Sequence, residues 1–191
     1  MKFGSLWQKR QAGMQTMTGK LQLQNKVKRN YDFKQEDRNS MKEYIKSLRQ
    51  IVGTIPIILT GASVIVENRQ GEILLIQRSD TKSWGYPGGS VEINEVVEEA
   101  AKRELFEETG LTANSLELFG VFSGKELYFV FPHGDEVSIV DIVYLCNDYT
   151  GEARADFQES DKVNFFALES LPNNISPPCI PALKKYREIK R

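Results

Sequence analysis

The chain has 191 residues, 40% of them hydrophobic and 27% charged, with 25 Lys and Arg against 26 Asp and Glu. That composition is typical of a globular protein able to bury a sizeable core. No apolar run approaches the ~20 residues of a membrane span, which excludes a spanning helix from the sequence, and the opening MKFGSLWQKR lacks the apolar stretch of a secretory signal. Two cysteines, Cys146 and Cys179, are too few for a disulfide scaffold and lack metal-ligand spacing, so free thiols in a cytoplasmic protein are expected.

The near-neutral total conceals an asymmetry. Residues 1–40 carry a net charge of +6 and residues 41–191 one of −7. The basic segment is rich in Gln, Lys, Asn and Thr without a sustained apolar period, which predicts a mobile or weakly helical extension joined to a single domain over 41–191. Met41 is an alternative start, and the charge alone gives the arm a possible phosphate-binding role.

Order is expected from residue 40. Ser40-Met41-Lys42-Glu43 has the form of a helix capping box, with Tyr44, Ile45 and Leu48 at helical spacing and Gly53 as the end. Residues 57–66 and 72–78 read as strands about a turn at Arg69-Gln70-Gly71. The Gly/Pro-rich Trp84-Gly85-Tyr86-Pro87-Gly88-Gly89 follows, then a helix from about Asn94 to Thr109 with Gly110 at its C-terminal cap. Further strands are expected at 115–122, 126–131, 137–147 and 162–167, and a last helix near 179–189. Strands on both sides of a central helix make an α/β or α+β layered domain.

The central helix has an unusual charge pattern. Val96, Val97, Ala100, Ala101 and Leu105 form its apolar face, and Glu95, Glu98, Glu99 and Lys102 point away from it. Glu104, Glu107 and Glu108, spaced i, i+3, i+4, instead fall in one arc beside the apolar stripe. Like charges so placed repel, and partial burial adds to the cost. A hard divalent cation reverses that sign, because Mg²⁺ and Mn²⁺ prefer carboxylate oxygens. Read without further context, the same residues describe a solvated acidic helix end.

The context extends the pattern. Gly89, five residues, Glu95, seven residues and then Arg103-Glu104-Leu105-Phe106-Glu107-Glu108-Thr109-Gly110-Leu111 match every fixed position of G-x5-E-x7-R-E-U-x-E-E-x-G-U, where U is aliphatic. Over Gly89–Leu111 the chain resembles the Nudix (MutT-like) hydrolase superfamily, and Trp84-x-x-Pro87-Gly88-Gly89 resembles the usual lead-in to that box. The resemblance implies an α/β/α sandwich with a mixed central sheet and a loop–helix–loop motif. It also implies an enzyme that uses Mg²⁺ or Mn²⁺ to hydrolyse the pyrophosphate bond of a nucleoside diphosphate linked to another group. Glu107 and Glu108 would then be metal ligands, Glu104 a further ligand or the base, and the Gly89 carbonyl a completing ligand. Arg103 and Glu95 would orient and neutralise the carboxylates. Eight helical residues would separate the backbones of these two by about 12 Å, which makes Glu99 an equally reachable partner for Arg103. Glu159 and Asp141 are candidates for an additional acid or base outside the box.

Substrate choice is less legible. Trp84, Tyr86, Phe122 and Tyr128 are candidates to stack on a base, although aromatics beside strands are more often core. The proline that many ADP-ribose hydrolases of the family carry about fifteen residues beyond the box is absent, and Tyr128 lies near where dinucleoside-polyphosphate hydrolases often have a tyrosine. Gly120–Lys125 has the wrong glycine spacing for a phosphate-binding P-loop, and His133 stands alone in a turn-like segment. The expected partner is a small nucleotide, not nucleic acid or a membrane, with a homodimer frequent in the family. The alternatives are RNA 5′-end hydrolysis steered by the basic arm, and a non-enzymatic nucleotide sensor.

Overall fold

In a computed structural model of the chain, residues 41–130 and 134–190 are described. The basic arm, the Ser40 end of the capping box, Pro132 and His133 fall outside them. Helix α1, Met41–Val52, opens the described chain with a Glu43–Lys46 pair at 3.4 Å, and Gly53 follows it at φ +68°. No described helix is long and apolar enough to cross a membrane.

The compact unit Ile51–Arg191 is a mixed α/β domain. Its main sheet runs β4 (Gly88–Ser90), β1 (Ile57–Val66), β8 (Glu136–Cys146), β6 (Glu117–Phe122), with β7 (Tyr128–Val130) also paired to β8. β1 and β8 are parallel along their full shared length, from Ile57↔Val137 to Val66↔Cys146, and the other pairs are antiparallel. A second sheet orders β10 (Ser160–Phe166), β2 (Ile73–Arg78) and β3 (Trp84–Gly85), and a third pairs β5 (Thr112–Ala113) with β9 (Tyr149–Thr150).

Side chains alternate across a strand, so β1 serves two cores. Ala62, Val64 and Val66 pack with Ala100, Ala101 and Leu105 of α2 (Val97–Thr109). Ile65 on the other face packs with Val143, and with Ala182, Leu183 and Tyr186 of α3 (Ile180–Lys190). The sandwich expected from the sequence is therefore present, with α2 and α3 on opposite faces.

Two expectations about α2 need correction. The helix begins at Val97 and not Asn94, because Asn94 adopts φ +67° and the Glu95 N–H closes a turn on the Glu92 carbonyl. Glu95 therefore precedes the helix, and Val96, the N-cap, is 66% exposed and does not join the apolar face. At the other end Gly110 caps the helix as expected, at φ +73° with its N–H on the Phe106 carbonyl.

Candidate functional site

The side chains of α2 reach the loop before it in two places. Glu108 is only 6% exposed, and its Oε2 accepts the Gly88 N–H at 2.8 Å. The Glu104 carboxylate lies so close to Gly89 that a Cβ there would stand 2.5 Å from it. Only a residue without a side chain permits that approach.

Arg103 organises the rest. Its Nε and Nη2 donate to the two oxygens of Glu95 at 2.8 and 3.0 Å, its Nη1 to Glu104 at 2.7 Å and Glu107 at 3.0 Å, and its Nη2 also to the Ser90 carbonyl. The Arg103–Glu95 pair thus forms, bidentate, because Glu95 lies in a turn that folds back and not a helix length away. Glu99 pairs with Lys102 instead. Hydrogen bonding to Glu95 holds the Arg103 guanidinium in its charged form, above its ordinary range.

Burial raises the pKa of both inner glutamates. Desolvation pushes Glu108 up to about 8, with Glu104 and Glu159 adding like charge, and Glu104 is raised for the same first reason despite its bonds to Arg103. Glu107 is largely exposed. The three box carboxylates do not converge: Glu108 is turned to Gly88, while Glu104 and Glu107 are held by Arg103. Among the described residues no three acidic, His or Cys side chains gather as a metal cage. The donor set still fits a hard cation, since the buried Glu108 and the half-buried Glu104 flank a backbone left bare at Gly89, and a cation there would favour the charged form of both carboxyls.

A cavity of ≈ 270 Å³ opens beside Glu108, Gly88 and Gly89 and runs to Asp141. Asp141, on β8 opposite Gly61, is 5% exposed. Its Oδ1 accepts the Ser63 hydroxyl at 2.8 Å and its Oδ2 the Tyr86 hydroxyl at 3.0 Å, while burial raises its pKa. Tyr86 is itself buried, and burial raises the pKa of its phenol. Glu159 is exposed on a turn in which the Asp156 carboxylate accepts the backbone N–H groups of Gln158, Glu159 and Ser160. Its charge acts on Glu104 and Glu108, so the two candidates from outside the box both border the region of α2.

The aromatic candidates separate. Tyr86 reaches the cavity. Trp84 packs edge-to-face on Phe166 at 5.0 Å, Phe122 stacks on Phe119, and the Tyr128 hydroxyl bonds Glu136; none of the three lines the cavity. Sequence reasoning missed Arg78, the one base among the lining residues. Its Nε and Nη2 grip both oxygens of Asp80 at 3.0 and 2.8 Å, which holds that carboxyl down at about 2. The available signal was a cation ending an apolar strand two residues before an aspartate.

The chain is similar to known proteins over much of its length. The family model described as NUDIX domain matches residues 58–185. An ADP-ribose pyrophosphatase of Methanocaldococcus jannaschii is 31% identical over 159 residues, 82% of this chain and 85% of that protein. An 8-oxo-dGTP diphosphatase of Haemophilus influenzae is 36% identical over 100 residues, 50% of this chain and 67% of that protein. The crystal structure of a MutT NUDIX hydrolase from Burkholderia pseudomallei aligns with a TM-score of 0.58 at 30% identity, covering 67% of this chain and 97% of that one.

Proposed function

The chain belongs to the Nudix hydrolase family, and from that footing we propose that it cleaves the pyrophosphate bond of a small nucleoside diphosphate derivative with Mg²⁺ or Mn²⁺ as cofactor. The observation that carries the reading is the packing of the half-buried Glu104 and the buried Glu108 against the bare backbone of Gly88 and Gly89. Carboxyls placed this way resist ionisation until a cation completes them. Gly89, Glu104, Glu107 and Glu108 are the residues that would hold it. When bound, it supplies neutralisation of the polyphosphate and activation of water.

The remaining steps belong to the chain. Arg103 fixes Glu95, Glu104 and Glu107 in one network, so the carboxylates are positioned before substrate arrives. Arg78, braced by Asp80, is placed to receive a phosphate at the cavity. Two carboxylates are placed to accept the proton of the attacking water: Glu104, whose proton affinity burial raises, and the exposed Glu159. We place the reaction in the cytoplasm, consistent with the two buried free thiols Cys146 and Cys179.

A panel of nucleoside triphosphates, nucleotide sugars, ADP-ribose, dinucleotides and 5′-triphosphorylated RNA, read by phosphate release and product mass with Mg²⁺ and Mn²⁺, tests this directly. Turnover is expected on small nucleotides, with Glu107→Gln or Glu108→Gln folding normally and losing about a hundred-fold or more in kcat. Wild-type turnover in either variant removes the metal assignment. Inactivity of the native chain across the whole panel revives the sensor reading.

A further inference from the structure

Glu104 and Glu108 meet the Gly88–Gly89 backbone from α2, yet little in that backbone holds itself in place. β4 has three residues and lies at the edge of the main sheet. Its two glycines bring no side-chain packing, and a strand so composed has a weakly specified register. Upstream, Trp84–Gly85 belongs to the second sheet, so Tyr86-Pro87 is the crossing between the two. The backbone ties there are the pairing of β4 with β1 and the Val64 N–H on the Pro87 carbonyl at 2.9 Å.

One side chain reaches both ends of this segment. Asp141 accepts the Tyr86 hydroxyl on Oδ2 and the Ser63 hydroxyl on Oδ1. Ser63 in turn pairs with Gly88 and packs on it so closely that a Cβ at Gly88 would stand 2.6 Å from the Ser63 Cβ. Ser63, Tyr86 and Asp141 are all buried, which shelters the two bonds from water. Ser63 shares a face of β1 with Ile65, and Asp141 a face of β8 with Val143; that is the face closed by α3. The segment is therefore gripped from both faces of the sheet, by the α2 carboxyls on one and by Asp141 on the other.

We propose that Asp141 is a positioning residue: through Tyr86 and Ser63 it fixes the Tyr86–Gly89 segment, and so sets the Gly88 N–H and the Gly89 backbone where Glu108 and Glu104 meet them. This gives Asp141 a holding role in place of proton transfer. Its consequence for a divalent cation rests on the metal-dependent reading above.

The test follows the loop separately from the cation. In the metal-free chain the Gly88 amide, bonded to the Glu108 carboxyl, is observed by proton–nitrogen nuclear magnetic resonance. Mn²⁺ dissociation constants are measured by paramagnetic resonance of the free ion. Asp141→Ala removes both anchors. It should move the Gly88 amide resonance and weaken Mn²⁺ binding about ten-fold or more, the usual cost of losing a partner behind metal ligands. Ser63→Ala and Tyr86→Phe each remove one hydrogen bond, and each should weaken Mn²⁺ binding about three-fold. Asp141→Asn can serve both hydroxyls, accepting from one and donating to the other, and should stay within about two-fold of the native chain.

A native Gly88 resonance or a native Mn²⁺ affinity in Asp141→Ala overturns the proposal. So does an equal loss in Leu183→Ala, which would reduce Asp141 to a contribution to stability alone. Asp141→Asn as impaired as Asp141→Ala overturns it too, because charge and not anchoring would then be what matters. If Asp141→Ala does not fold, Ser63→Ala and Tyr86→Phe decide, and native values in both overturn the proposal. A native chain that binds no Mn²⁺, while the Gly88 amide still moves in Asp141→Ala, would remove the cation from the proposed function and leave the positioning role standing.

Discussion

Glu108 shows at the residue scale how a site can work against its own protein. The carboxyl titrates near 4.5 in water and is pushed up to about 8 by burial in the fold. Between those values the folded state keeps a proton that the unfolded chain gives up, so stability falls as pH rises through that window. The metal-free protein is therefore expected to lose stability from pH 5 to pH 8, followed by urea denaturation in EDTA. Glu108→Gln should flatten that slope and, without metal, exceed the native chain at pH 8 by a few kcal/mol. A slope unchanged by the substitution would show that Glu108 is not its source. Glu104 and Glu108 were legible as residues out of place on a helical wheel, because their spacing is local, whereas Glu107 of the same arc lies largely exposed. Arg78 and the depth of Asp141 were not, since both depend on a cavity assembled from strands far apart in the chain.

At the scale of elements, the long pieces followed from periodicity and the short ones did not. β1, β8 and α3 lie within a residue or two of their expected bounds because each carries enough apolar side chains to mark one face. β3, β4, β5 and β9 have only two or three residues apiece, and their strand character comes from the partner they lie against. The start of α2 depended on a left-handed Asn94 that no pattern announced, and that turn is what lets Glu95 reach Arg103. Its end depended on a glycine, which the sequence does mark. Gly110→Ala places a Cβ at φ +73°, 3.1 Å from Arg154 Nε. It should cost about 1–2 kcal/mol in chemical denaturation through the left-handed backbone alone. A variant as stable as the native chain would mean the C-terminal end of α2 relaxes freely.

Across the whole molecule the two cores have different duties. α2 carries the carboxylates on the face of β1 that holds Ala62, Val64 and Val66, whereas α3 closes the other face through Leu183 and Tyr186. Removing mass from the α3 side should therefore lower stability without touching the chemistry. Leu183→Ala, at a side chain 5% exposed, is expected to cost about 2–5 kcal/mol in urea unfolding, with kcat and KM of the folded protein unchanged. A marked change in KM at unchanged fold would couple α3 to the cavity. The parallel pairing of β1 with β8 has a consequence in time. Ser63 and Asp141, bonded in the finished protein, are 78 residues apart in the chain. As the polypeptide leaves the ribosome, β1 and β2 emerge as apolar segments whose partners have yet to be synthesised, and distant pairings of this kind close slowly. Truncated or stalled chains should consequently be sticky and inactive, and the nascent protein should be a client for chaperones until its last fifty or so residues are made.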